Sequence, residues 1–401
     1  MEKLWTKNFS LLVLITLAAF TVRQMAMSTF PMLVTWAGGS TAAAGKLTLL
    51  LTVASIAVRL VSGPLTDRYG RRSFMVIGAG IFACSTLVIA LFPKIWVIAA
   101  MQLLFGAGLS CITTASGAAV ADVTPPARLG EGMGFYTLGN SVAMAIGPAA
   151  GLWLIGLGTG NNYRGLYLAA TLVLAAAGVM GALVNYRAPR KDSISFRLKE
   201  VLEPAALPAS FLELLAVFSF TSVISYIASY AKETGIGSIG SFFLVYAAGM
   251  IAVRLIVGKV VDKKSERMVV MAAMALMAAA FAGIVKARTL TGLMVLAVLL
   301  GLGQGAVMPS LQKAAMKRVL PERRGAGNAT YQLFSDIGTG FGAAVWGALA
   351  ESAGYPAIYL GASAVCIAGF FLSAVLLGGQ KKIETKRENT YENGGENGYA
   401  G

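Results

Sequence analysis

Twelve stretches of about twenty or more mostly apolar residues constrain this chain more than any other feature. They lie at 8–32, 42–65, 73–92, 95–118, 132–155 and 165–185, and then at 209–231, 238–260, 268–286, 291–312, 326–350 and 356–378. A helix needs roughly 20 apolar residues to cross a hydrocarbon layer. Strands of a membrane barrel are about half that length and alternate in polarity, whereas these runs are continuously apolar. The sequence therefore predicts an all-α membrane protein with 12 transmembrane helices. Only 13% of residues are charged, against about a quarter in soluble chains. The run from Phe9 to Phe20 continues into further apolar residues rather than a small-residue cleavage site, so it is read as a span and not as a removable signal. Cys84, Cys111 and Cys366 fall in separate apolar stretches and are expected as small buried hydrophobes, not as a disulfide framework.

The twelve stretches form two related sets of six. Val58-Arg59-Leu60-Val61-Ser62-Gly63-Pro64-Leu65-Thr66-Asp67-Arg68 returns 195 residues later as Val253-Arg254-Leu255-Ile256-Val257-Gly258-Lys259-Val260-Val261-Asp262-Lys263. At the same offset Gly106-x-Gly108 matches Gly301-x-Gly303, Tyr136 matches Tyr331 and Gly147 matches Gly342. Residues 1–186 are expected to form one six-helix bundle and 209–378 the other. A polar linker at 187–208 carries Pro189, Pro204 and Pro208, with a short surface helix near 198–202, and a disordered tail spans 379–401.

The net charge of +15 could point to nucleic acid, but its distribution points elsewhere. Lys46, Lys94, Arg164, Lys232, Lys286 and Arg288 fall on one side of the predicted spans. Arg23, Arg59 and Arg254 lie within or at the edge of spans, and the remaining 24 of 33 basic residues fall on the other side. Basic loops stay in the cytoplasm, so both termini are expected there, in a multi-pass protein of the inner (plasma) membrane with no nucleic-acid partner.

The segment Gly63 to Arg72, with Asp67, Arg68, Gly70, Arg71 and Arg72, resembles the signature loop between the second and third helices of the major facilitator superfamily. Parallel six-helix repeats are the halves of that fold, and the resemblance covers nearly the whole chain. The charged stretch reads as a tight turn in which Gly70 supplies a positive φ. A positive-inside loop explains the arginines but not Asp67 or its copy Asp262. The resemblance implies a cytoplasmic latch: Asp67 against the start of the eleventh helix near Gly325 to Asn328, and Arg68 or Arg71 against Asp122. Lys317 stands where a second Asp122 would be, so a weaker latch, with Lys263 and Lys317 repelling, is expected in the second half.

Gly134, Ala143, Gly147-Pro148 and Gly151 resemble the fifth-helix signature of the family's antiporters, although Ala143 and Leu152 replace two of its glycines. Ordinary small-residue packing is the plainer explanation; the Gly-Pro placement tilts the reading toward export. The fourth-helix arginine that often precedes Gly-x-Gly in such exporters is Gln102 here.

Ionisable residues within spans are costly and mark function. Asp336 lies about ten residues into its span, roughly 15 Å deep at the helical rise. Arg23 lies in the outer half of the first span and Glu213 near the cytoplasmic end of the seventh. The chain has no histidine, so proton handling falls to carboxylates: Asp336 first, then Glu213, with Arg23 as a candidate partner for Asp336. Arg59 and Arg254 are read as helix-end anchors or interface pairs. Gln24, Phe30, Gln102, Asn140, Tyr226, Gln304 and Gln332 are candidate cavity residues. No motif for a cofactor, metal or enzymatic nucleophile is present. The resemblance implies a secondary active transporter, functional as a monomer, that exports a small organic molecule by proton antiport, in the drug- and sugar-efflux branch that includes opine-metallophore exporters. The alternative is a proton-coupled importer of a sugar, organic acid or other metabolite.

Overall fold

The structure is a computed structural model that describes residues 4–125, 128–156, 161–185, 202–237, 239–263, 265–319 and 324–378. Among these residues it contains twelve long helices: α1 (Lys7–Trp36), α2 (Thr41–Tyr69), α3 (Arg71–Leu91), α4 (Ile95–Val123), α5 (Leu129–Gly156), α6 (Tyr163–Leu183), α7 (Leu207–Glu233), α8 (Gly240–Lys263), α9 (Glu266–Lys286), α10 (Leu290–Arg318), α11 (Arg324–Ala353) and α12 (Tyr355–Leu376). Eleven are long and apolar enough to cross a membrane, and the described apolar stretch of α8, Gly240–Val253, is shorter. A membrane interior offers the backbone no water to bond, so each run must satisfy its own N–H and C=O groups, and a helix does so within one segment. Where chain ends meet water, side chains cap them: Thr6, Ser40, Asn162 and Thr289 accept from the exposed N–H groups of α1, α2, α6 and α10.

Several helices outrun the apolar stretches that announced them. α4 continues to Val123 and α10 to Arg318, because helical hydrogen bonding does not stop where polarity changes. The largest consequence falls on the charged stretch after Val58, expected as a turn. It is helical to Tyr69, and the reversal is confined to Gly70, which caps both α2 and α3 at φ 92°.

Buried residues gather into two hydrophobic cores, one from Leu4 to Val184 and the other centred on Ala206 to Leu377. The same helix pairs build both: α1 packs on α5 as α7 does on α11, α2 on α4 as α8 on α10, and α3 on α6 as α9 on α12. The matched glycines explain one of these contacts. A Cβ on Gly106 would overlap Leu51 O, and a Cβ on Gly301 would overlap Tyr246 O, its repeat equivalent. Another shared contact is a hydrogen bond: Tyr136 Oη donates to Thr113 O (3.2 Å) and Tyr331 Oη to Met308 O (2.9 Å). The two bundles meet along α2–α11 and α5–α8. Cys111 and Cys366 are buried as expected, but Cys84 is exposed. The linker before residue 202, with its expected surface helix, and the tail after 378 lie outside the described residues. A single 3-10 turn, Pro204–Ala206, leads into α7, and the neighbouring Glu203 N–H donates to Thr330 Oγ1 at 2.8 Å.

Candidate substrate and proton site

The site is organised by the α2–α11 seam. At the end away from the basic loops, Ala42 N–H donates to Glu351 Oε2 (2.9 Å), and Gly45 lies against Ala343 so closely that a Cβ would overlap its carbonyl. Further in, a Cβ on Gly340 would stand 2.6 Å from Thr52 Cβ. At the inner limit of this described seam, Arg59 Nη2 meets Asp336 Oδ2 at 3.2 Å. Asp336 lies twelve residues from Arg324, about 18 Å along α11 at the helical rise. The acid chosen by depth is thus an ion-paired residue between the two bundles.

Its partner differs from the candidate chosen by depth. Arg59, on α2, forms the ion pair; Arg23, on α1, interacts with Asp336 and Arg59 only across space. Arg23 instead lines a cavity with Ala26, Met27 and Phe30 of α1, Thr48, Leu51 and Thr52 of α2, Gln102 and Phe105 of α4, and Thr339 of α11. The space between them is narrow and opens toward solvent. The floor is apolar. Thr48, Thr52 and Thr339 donate their hydroxyl protons to backbone carbonyls one turn back, leaving oxygen lone pairs for a guest.

Of the other cavity candidates, Phe30 and Gln102 line this space. Gln24 is buried where Gly147 of α5 approaches α1, and Gly151 of α5 approaches Met25 and Thr29. The fifth-helix pattern thus sets how closely α5 seats on α1, the helix that carries Arg23. Pro148 is within α5 and buried, while the surroundings of Gly134 lie outside the described residues. Tyr226 donates to Ala343 O at 2.7 Å. Gln304 is buried with its Oε1 unbonded, Asn140 is half-buried and Gln332 is exposed. Glu213 is fully buried in the second bundle with the Tyr331 hydroxyl as its polar neighbour, although that hydroxyl donates to Met308 O and neither carboxyl oxygen is within hydrogen-bond geometry of a partner among the described residues.

At the basic end, Arg71 rather than Arg68 is the described partner of Asp122. Its Nη1 pairs with Asp122 Oδ2 and donates to Ala118 O (2.7 Å). The side chains of Asp67, Arg68, Arg254 and Asp262, and the surroundings of Gly63, lie outside the described residues; Arg72 is exposed. In the second half the side chain of Lys263 lies outside the described residues, and Lys317 takes part in a charge-reversed counterpart of the Arg71–Asp122 pair. Lys317, the equivalent of Asp122, meets Glu266 Oε1 at 2.7 Å, and Glu266 is the equivalent of Arg71. Lys313 stands 3.9 Å from the same oxygen. Glu266 is 4% exposed, so it is the member whose loss would be felt. Glu266→Lys is expected to destabilise the purified protein, because it places three cations together. Adding Lys317→Glu and Lys313→Gln should recover most of the melting temperature, and recovery of nothing over the single change would count against the pairing.

Two six-helix bundles of matching internal plan, meeting beside a largely apolar cavity that holds Arg23, are the plan of a membrane transporter. The chain belongs to the Major Facilitator Superfamily, whose family profile matches residues 12–230 and 206–396. It is 23% identical over 346 residues to multidrug resistance protein 2 of Bacillus subtilis, covering 82% of this chain and 85% of that protein. It is 25% identical over 337 residues to an agnestins efflux protein of Paecilomyces divaricatus, covering 81% and 75% respectively. Its fold is similar to that of a crystal structure of a POT family transporter in complex with 5-aminolevulinic acid, at a TM-score of 0.78 and 11% identity, over 92% of this chain and 96% of the other.

Proposed function

We propose that this transporter exports a small organic molecule by proton antiport, with Asp336 as the proton-carrying group and the basic end in the cytoplasm. The observation that carries the proposal is the Arg59–Asp336 pair across the joint between the bundles. A carboxyl group whose surroundings change between a dry interface and open water binds and releases a proton as the conformation changes. Protonation removes the negative charge that ties α11 to α2 at that level, so the proton and the seam are energetically linked. The seating of α5 on α1 and the two relatives named for efflux or drug resistance support the outward direction. Alternating access by rocking of the two bundles accounts for a seam held at one end by glycine contacts.

The test uses everted membrane vesicles with an established interior-acid gradient and a pH-sensitive dye. An exported compound should collapse part of the gradient when added, in vesicles containing the protein and not in those without it. Gradient-driven accumulation in right-side-out vesicles, with no effect in everted ones, would establish proton-coupled import instead. Candidate compounds come from comparing the metabolites retained by cells with and without the protein.

A further inference from the structure

We infer that Arg23 binds the anionic group of the substrate, a carboxylate on an otherwise apolar organic molecule. The inference rests on the transporter reading but on neither its direction nor its proton coupling. Arg23 points to this by what it lacks. Among the described residues it makes no hydrogen bond and no ion pair, although it lies within a span and lines the cavity. The acid nearest in charge, Asp336, is already engaged by Arg59. An arginine stays protonated under all physiological conditions, and an unpaired charge at this depth is costly. Among the described residues, the cavity therefore holds one positive charge that no acid pairs directly.

The cluster of Arg23, Arg59 and ionised Asp336 carries a net single positive charge. One monoanion brings it to neutrality. A cation would meet two arginines and only one carboxylate. The guanidinium fork matches a planar carboxylate with two parallel hydrogen bonds. Gln102, 3% exposed and without a hydrogen bond among the described residues, adds an amide donor to the same wall. The remaining lining is Ala26, Met27, Phe30, Leu51 and Phe105, which suits an aromatic or aliphatic body.

The test measures equilibrium binding to the full-length protein in lipid nanodiscs by quenching of its tryptophan fluorescence. The probes are benzoate, 1-naphthoate and decanoate, each compared with its uncharged amide and with the corresponding primary ammonium. At least one carboxylate should bind at least about tenfold more tightly than its amide, with the ammonium weakest. Arg23→Gln should remove that preference and Arg23→Lys should retain part of it. Equal binding of carboxylate and amide, a preference for the ammonium, or an undiminished preference in Arg23→Gln would overturn the inference. The probe comparison on the parent protein stands even where a variant fails to fold, and absence of a carboxylate preference in all three series also overturns the inference. Charge selectivity without proton-driven flux would sink the coupling proposal alone; proton-driven flux of neutral or cationic compounds without carboxylate preference would sink this inference alone.

Discussion

Asp336→Asn is expected to abolish gradient-driven transport while leaving a protein that inserts and folds. The substitution keeps the shape of the side chain but removes the titratable group. It also leaves Arg59 without a counter-ion at the joint between the bundles. Exposed ion pairs contribute about 0–1 kcal/mol, and breaking a buried one costs about 3–5 kcal/mol. The Arg59 and Asp336 side chains are 26% and 13% exposed, so the loss should fall between those limits and should not prevent folding. The double variant Arg59→Gln, Asp336→Asn separates the two consequences. It removes the unpaired cation, so thermal stability should return toward that of the parent while gradient-driven flux stays at background. If the double variant transports with the gradient, the pair is a structural tie, the proton is carried elsewhere, and Glu213 becomes the group to replace next.

The second large effect concerns the glycines of the seam. A side chain at Gly45 meets Ala343 O, and one at Gly340 meets Thr52. These contacts join two bundles that each hold their own core, so a bulky residue there can be relieved by parting the seam. At Gly106 or Gly301 the same intrusion lies within one bundle, against Leu51 O or Tyr246 O, and the packed core has nowhere to move. Gly45→Leu should therefore leave the melting temperature within a few degrees of the parent and yet eliminate transport by blocking closure. Gly301→Leu should reduce the yield of folded protein severalfold. The readout for Gly45→Leu is labelling of Thr52→Cys by a membrane-impermeant thiol reagent, with Cys84, Cys111 and Cys366 replaced by alanine. Labelling should rise when Gly45 is enlarged; unchanged labelling together with a large loss of stability would place Gly45 in a static core.

Much of this architecture was legible in the residues because span length and the 195-residue repeat are properties of the chain itself. Depth was legible for the same reason: counting from a span's end located Asp336 at the level where the bundles meet. Its partner was not legible. Ending the second span at residue 65 places Arg59 at a helix end, whereas α2 continues to Tyr69 and carries Arg59 ten residues inside it. The cavity threonines were hidden because a threonine in a membrane helix usually satisfies its own backbone, as these do. The Glu266–Lys317 pair could have been found by applying the repeat to charge magnitude rather than charge sign, since Arg71 and Asp122 map directly onto it. The extent of α2 was missed because the run of charges from Asp67 to Arg72 reads as a loop, while only Gly70 adopts the turn.

The reversed polarity of those two ion pairs bears on how the chain assembles. A protein made of two similar halves risks pairing the loop of one with the acid or base of the other while both are still emerging into the membrane. Arg71 beside Lys317 would set two cations together, and Glu266 beside Asp122 two anions. Each crossed arrangement repels, and each native one attracts. The sign of the charge thus serves as an address: it tells each loop which of two nearly interchangeable bundles is its own.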